Sequence, residues 1–336
     1  MLEGRFKLAN IKWQKSDTVA LAISGGMDSM VLYHQLTHEY RNTYQKLVLF
    51  HVNHGVRKES EEEEQYIKQL AKENDHTVTV KHLSMGGEFS QGKAREMRYR
   101  FFADEYKACG ADVLLTAHHK DDHFETVLHQ LLTNRHLNRT LGIKEDNVIN
   151  DMAVARPLLN LLKVDIRRYQ QRYNVHYFED ATNAEDDYTR NYIRHHIAGN
   201  IKENENLHEE SLSQVADDFD ALKQLANIKA SEFLDRSSDG MFSRRAFQKQ
   251  SHIIKVFILK KWMNCRNVTP SRKFIEETIN IIQSELPQTD LSIGNKRIML
   301  RYDDVYIDNA EEYNVKSTDK SFLISHSGRY FFNGHR

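Results

Sequence analysis

Short apolar runs recur along the first part of the chain: Val19–Ile23, Leu47–Val52, Thr77–Val80 and Val113–Ala117. Each is too short for a helix and rich in aliphatic or β-branched residues, so each predicts a buried strand. Between them, Ser29–Tyr40, Glu59–Lys72 and Ala94–Cys109 carry apolar residues at helical spacing among Glu, Lys and Gln. Strands alternating with helices predict parallel βαβ units and a doubly wound α/β sheet. Ligands of such sheets lie beyond the carboxyl ends of the strands. The unusual polar stretches fall at those places: ISGGMDS after the first run, HVNHGVR after the second and TAHHKDDHFET after the fourth.

Toward residue 195 the chain adds ARPLL, a helical Lys163–Tyr173 and the apolar-aromatic VHYF. From about 198 the texture changes. A charged bridge, KENENLHEES at 202–211, precedes amphipathic helical patterning over Leu212–Arg236 and Ala246–Met263. The terminal SFLISHSGRYFFNGHR reads as a strand, a turn and a second strand that stops abruptly, the opening of a further domain. The expected organisation is an α/β domain over 1–200, a mainly helical domain over 201–315 and the start of a small β-rich domain over 316–336. A length of 336 residues suits two or three domains at about 150 residues each.

Composition narrows the class. The opening MLEGRFKLANIKWQ lacks the apolar core of a signal peptide. No apolar run approaches the span of about 20 residues that a bilayer needs, which predicts a cytoplasmic protein without membrane association. Cys109 and Cys265 stand far apart and form no CxxC pair, so neither a thiolate zinc site nor a dense disulfide framework is expected. The net charge of −1 hides an asymmetry: residues 242–300 carry eleven Lys/Arg against four Asp/Glu, leaving −8 for the rest. A basic block of this kind can neutralise nucleic-acid phosphates. On charge alone, a solvated face with a chance excess is the favoured reading.

The glycine loop is the most specific signal. A Walker A loop needs G-x-x-x-x-G-K-[ST], whereas SGGMDS has neither that spacing nor the lysine. Ser24-Gly25-Gly26 still lets bare backbone N–H groups converge on an anion, and the helix starting near Met27–Ser29 adds the positive end of its dipole. Asp28 would repel a phosphate unless a divalent cation lay between them, which predicts Mg²⁺. SGGMDS resembles the signature loop of the PP-loop superfamily, the N-type ATP pyrophosphatases. That resemblance implies cleavage of ATP between its α and β phosphates and transfer of AMP to a carbonyl oxygen. It also implies ATP contacts at Ser24, Gly25, Gly26, Met27, Asp28 and Ser29.

HVNHGVR, GKAREMRYRFF, TAHHKDDHFET, RPLL and FEDATN…TRNYIR, spread over about residues 15–200, resemble one branch of that superfamily, the bacterial tRNA(Ile)-lysidine synthetases. The branch implies ATP-dependent ligation of free L-lysine to C2 of the wobble cytidine, position 34, of a tRNA(Ile) with a CAU anticodon. The reaction would pass through an adenylated cytidine and release AMP and pyrophosphate. By the same resemblance Asp28, Arg95, His118, Asp122 and Glu125 are the catalytic candidates. Asp28, Asp122 and Glu125 are the candidates for Mg²⁺ or the lysine ammonium. Asn183, Arg190, Asn191 and Arg194 would face lysine or the tRNA, and Arg244, Arg245, Lys260 and Lys261 would form a tRNA-backbone surface. His51 and His54 would border the adenosine mainly through backbone, and a homodimer is an allowed assembly. The chain departs from the family after DDHFET, where LLTNRHLNRTLGIKEDN has only Gly142 in place of a glycine-rich loop.

Other readings stay open at this point. His118, His119, Asp122 and His123 offer zinc-compatible ligands without the H-E-x-x-H spacing. A 2-thiocytidine synthetase generally displays cysteine pairs that this chain lacks. An ATP-binding regulatory module would not need the acid cluster, and an amide-forming enzyme on a small acid leaves the basic block unexplained. Phe242, Phe247, Phe257 and Trp262 recur near helical spacing and are expected in a core.

Overall fold

A computed structural model describes residues 7–8, 11–53, 55, 59–83, 91–133, 140–179, 189–204, 206–237 and 240–309. The chain divides into two compact units, 1–220 and 221–336.

The first unit is built on a six-stranded sheet. Its strands are β1 (Thr18–Ala22), β2 (Lys46–Asn53), β3 (Thr77–His82), β4 (Val113–Leu115), β5 (Asp146–Ile149) and β6 (Met152–Ala155). They lie in the order β3-β2-β1-β4-β6-β5. All neighbours are parallel except β5, which pairs antiparallel with β6. The four predicted strands are all present. The helices are α1 (Met27–His38), α2 (Glu59–Glu73), α3 (Gln91–Ala108), α4 (Lys120–Leu132) and α5 (Lys163–Tyr173).

The apolar runs are continuous because both sheet faces are covered. Side chains alternate between faces along a strand. Val19, Leu21, Leu47, Leu49, Val113 and Leu115 therefore share one core with Val31, Leu32 and Leu36 of α1 and Ile166 of α5. Ala20, Val48, Phe50 and Leu114 join Tyr99, Phe101 and Phe102 of α3 in another. The sheet order reverses between β1 and β4, so the crevice of a doubly wound fold opens between their carboxyl ends.

After β6 and α5 come α6 (Thr189–Tyr192), a π-helical turn (Ile193–Ala198), α7 (Gly199–Glu203) and the long α8 (Glu209–Leu234). The first compact unit extends to Asp220. Two sets of contacts account for this. Ala216 of α8 packs with Val127 and Leu141, and Asp217 and Asp220 both take the Lys144 ammonium, at 2.9 and 3.1 Å.

The second unit combines helices with a small sheet. Besides α9 (Arg244–Gln248), α10 (His252–Asn264) and α11 (Arg272–Gln283), it holds a four-stranded antiparallel sheet. Its strands are β7 (Phe242–Ser243), β8 (Gln288–Ile293), β9 (Lys296–Arg301) and β10 (Asp304–Asn309). The hairpin of β8 and β9 turns on Gly294-Asn295 between two alternating runs, which is two-residue hairpin chemistry. Gly294 has φ +59°, as such a turn requires. Phe242, Phe247, Phe257 and Trp262 are all buried in this unit's core, as expected. The expected further domain over 316–336 lies outside the described residues.

Candidate nucleotide site

The loop between β1 and α1 is shaped by its own hydroxyls. Gly25 has φ +85°, a conformation that disfavours any side chain. Its carbonyl accepts from Phe178 N–H at 3.0 Å. Ser29 Oγ donates to Gly26 O at 3.0 Å and accepts from Ser24 N–H at 3.2 Å. Gly26 is the N-cap of α1, and no side chain caps it, so the helix terminus keeps its pull for an anion. Met27 packs on the first core.

Asp28, in the first turn of α1, is flanked by two basic side chains from other elements. Lys163 Nζ lies 2.5 Å from its Oδ1, and His119 Nε2 lies 3.8 Å from its Oδ2. His119 is buried at the N-cap of α4, where its N–H donates to Asp122 Oδ2 at 3.0 Å. Burial alone would lower the His119 pKa. Asp121, Asp122 and Asp28 around the ring outweigh that and hold it above the usual histidine value. Burial would likewise raise the Asp122 carboxyl, but His119, His118 and Arg194 keep it below the ordinary carboxylate range. His118 Nδ1 sits 2.9 Å from Thr116 Oγ1 at the end of β4.

Glu125 is buried one turn further along α4, and Arg194 Nε donates to its Oε2 at 2.9 Å. A second nitrogen of Arg194 lies 3.5 Å from Asp122 Oδ1. Arg194 belongs to the π-helical turn, a rare local geometry found disproportionately at functional sites. Asp28, Asp122, His118 and Glu125 are thus placed by α1, α4 and the connection from β4 to α4 at the β1/β4 crevice. Arg95 on α3 is exposed and stacks over the Tyr99 ring at 4.8 Å rather than joining the acidic network.

Several expectations need correction. Arg244 is no tRNA-facing residue: it is buried, and its guanidinium donates to Ile282 O and Leu286 O, both at 2.8 Å. Lys261 is hydrogen-bonded to Ser231 Oγ, and Lys260 stands over the Phe257 ring at 6.0 Å. Only Arg245 of the four is exposed. His51 is a structural residue, buried and donating from Nδ1 to Ile23 O at 3.0 Å, which ties the ends of β1 and β2; burial lowers its pKa. His123 faces Ile143 O at 2.9 Å, away from any zinc arrangement, and no group of three His, Cys, Asp or Glu among the described residues could hold a metal ion. Asp28, Asp122 and Glu125 are therefore not gathered as a three-carboxylate cage. His54, Asn183 and the side chains of Arg190 and Asn191 lie outside the described residues. Gly142, the glycine of the LLTNRHLNRTLGIKEDN stretch, has φ +74° and donates its N–H to Gln130 Oε1 at 2.6 Å.

The sequence singles out His119 only as a zinc-compatible ligand and does not single out Lys163. His119 was one of several histidines in a row, and Lys163 looked only like the first residue of an amphipathic helix.

A phosphate-shaped glycine loop without a lysine, set at the switch point of a parallel sheet and facing an acidic helix start, defines a nucleotide-binding enzyme of the PP-loop class. A family model described as a PP-loop domain matches residues 3–201, and the chain belongs to that family. The chain is 32% identical to tRNA(Ile)-lysidine synthase of Staphylococcus epidermidis over 97% of its own length and 79% of the relative's. It is also 32% identical to tRNA(Ile)-lysidine synthase of Staphylococcus aureus, over 96% of this chain and 78% of that one. Among solved structures, the U34-tRNA thiolase NcsA from Methanococcus maripaludis with its [4Fe-4S] cluster superposes with a TM-score of 0.52 at 15% identity. That match covers 65% of this chain and 75% of the other, and indicates a shared fold.

Proposed function

We propose that this protein is a lysidine-forming ligase. It uses ATP to activate O2 of the wobble cytidine, position 34, of tRNA(Ile) with a CAU anticodon. Free L-lysine then displaces AMP at C2. The observation that carries the reading is the adjacency of two unlike sites at one crevice. An uncapped helix terminus with a glycine loop suits the phosphates, and an acidic pair with an arginine beside it suits an amino acid.

The roles follow from the chemistry. Cytosine O2 is a poor leaving group, and its adenylate is a good one. Backbone N–H groups of Gly25, Gly26 and Met27, with the Ser24 and Ser29 hydroxyls, hold the nucleotide's anionic tail. His118, at the mouth of β4, lies where the adenylate would form. Asp122 and Glu125 receive the lysine ammonium and Arg194 its carboxylate, the pairing that planar guanidinium favours. Arg95 remains our candidate for the adenylate phosphate, from α3. The exposed Arg245 is proposed to touch tRNA phosphate, which positions without reading sequence. Among the carboxylates, Asp28 fits Mg²⁺: the ion takes one or two carboxylates and draws its other oxygens from phosphates and water. Bound there, Mg²⁺ would neutralise negative charge on the phosphates.

The thiolating alternative is disfavoured. Each unit carries a single cysteine, Cys109 half-buried and Cys265 exposed, so neither supplies a thiol pair for sulfur transfer. No helix among the described residues is long and apolar enough to cross a membrane.

The test is release of AMP and pyrophosphate from Mg-ATP, with labelled lysine, in the presence and absence of tRNA(Ile) bearing CAU. Release that needs the tRNA, with label arriving in the tRNA, is the expected outcome. Adenylation followed by incorporation of anything other than lysine would overturn the reading.

A further inference from the structure

Two hairpins of the second unit turn on two residues each. Between β8 and β9 the turn is Gly294-Asn295, with Gly294 at φ +59°. Between β9 and β10 it is Tyr302-Asp303, with Tyr302 at φ +53°. We propose that Tyr302 is a stacking platform for an unpaired base of the tRNA substrate, and that the nearby Arg245 guanidinium takes an adjoining phosphate. This rests on the reading of the protein as a tRNA-modifying enzyme and adds a mode of contact to it.

Three observations converge on it. The first is the backbone. A left-handed conformation suits glycine, as at Gly294, and is rare for a residue as bulky as tyrosine. Residues held in such regions gather at functional sites, where something other than local stability accounts for them.

The second is exposure. Tyr302 is 56% exposed, and its ring takes no part in the core of the unit. Core packing therefore does not offset the backbone strain, and an aromatic face is left to solvent. Unpaired RNA bases are recognised by stacking on such faces.

The third is fixation beside a free charge. Tyr302 N–H donates to Pro287 O at 2.7 Å, and Asp303 O accepts from Arg244 N–H at 2.6 Å. The Asp303 carboxylate accepts from Ser243 Oγ at 2.7 Å and from Arg245 N–H at 2.9 Å. The turn is thus tied to the start of α9, and the residue after Tyr302 holds the backbone of Arg245. The Arg245 side chain is 85% exposed, with its Nε 3.9 Å from Asp303, a separation that leaves the guanidinium open to a phosphate. The exposed acids Glu285 and Asp304 lie close by in sequence, so the turn is no basic stripe for a duplex backbone. One base and one phosphate fit it better.

The test is binding of tRNA(Ile) with a CAU anticodon at two salt concentrations. It compares the wild type, Tyr302→Gly, Tyr302→Trp and Arg245→Ala, with the unfolding midpoint of each. Tyr302→Gly should bind about 5- to 100-fold more weakly with an unchanged salt slope, because stacking releases no counterions. Its unfolding midpoint should stand at or above that of the wild type, since glycine relieves the backbone. Tyr302→Trp should keep the affinity, and Arg245→Ala should flatten the salt slope. A blunt RNA duplex should bind the wild type and Tyr302→Gly alike. Three outcomes overturn the proposal: unchanged tRNA affinity in Tyr302→Gly, an equal loss for the duplex, or a midpoint several degrees lower, which would make Tyr302 a structural residue. Lysine attachment by a wild type whose tRNA affinity is indifferent to Tyr302 would sink this inference alone. Binding that depends on Tyr302 without any lysine attachment would leave it standing and refute the ligase reading.

Discussion

Arg194 closes on Glu125 from a π-helical turn, with its Nε 2.9 Å from Oε2, so a buried carboxylate on α4 is neutralised by a residue 69 positions away. Removing one member of such a pair strands the other's charge in a poorly solvated place. Arg194→Ala should cost about 2–3 kcal/mol, whereas adding Glu125→Gln to it should return part of that loss. Urea denaturation of the four members of the cycle measures the coupling. A double variant no more stable than Arg194→Ala alone would refute the pairing.

Gly25 carries the backbone turn that brings the loop around. Gly25→Ala should destabilise the protein by about 1–2 kcal/mol, because φ +85° suits no side chain. The space itself is adequate, since an added Cβ would meet nothing closer than 3.6 Å. ATP affinity should fall well beyond what that loss of stability explains. Retained nucleotide binding at a normal melting temperature would show that the loop does not hold the phosphates.

Arg244 and Arg245 are neighbours with opposite fates. Arg244→Ala should lose about 2–4 kcal/mol, since two backbone carbonyls that close the end of α11 would be left without their charged donor. Arg245→Ala should leave the melting temperature within a degree or so of the wild type, as exposed substitutions generally do, and weaken tRNA binding with a shallower salt dependence. Thermal melts paired with tRNA titrations at two salt concentrations separate these effects. If Arg244→Ala melts like the wild type, the assignment of Arg244 to the core is wrong.

Glu64 gives a pH signature. It accepts from Lys68 Nζ at 2.6 Å, Asn53 Nδ2 at 2.7 Å and His82 Nε2 at 2.8 Å. Burial alone would raise this carboxyl, but those three donors hold it down at about 2, against an ordinary 4.5. A depressed carboxyl stabilises the fold above its unfolded value and loses that contribution as pH falls toward the folded one. Stability should therefore drop between about pH 4.5 and 2, and Glu64→Gln should flatten that part of the curve while costing about 1–3 kcal/mol at neutral pH. Chemical denaturation across that range checks it, and an unchanged slope in Glu64→Gln would exclude the effect.

The sequence by itself determined the elements and the loop. Val19–Ile23 could be read as a strand because a run buried on both faces must be apolar throughout, and SGGMDS could be read as an anion loop because adjacent glycines after a strand leave bare backbone N–H groups at a helix start, with Gly25 in a conformation that favours glycine. Both depend on neighbours within a few residues. The same holds for Asp122 and Glu125, which share a helical face by spacing alone.

Tertiary structure decided which charges meet. Lys163 reaches Asp28 across 135 positions, and nothing local distinguishes it from any other lysine that starts a helix. Arg244 looked like part of a basic surface until packing buried it, because the sign of a charge is local whereas its exposure is a property of the whole fold. The sheet of the second unit lay between these cases. Its Gly294-Asn295 turn is legible, but β8 and β9 became strands only by pairing with each other, and β9 with β10, where alternation and ladder bonds reinforce one another.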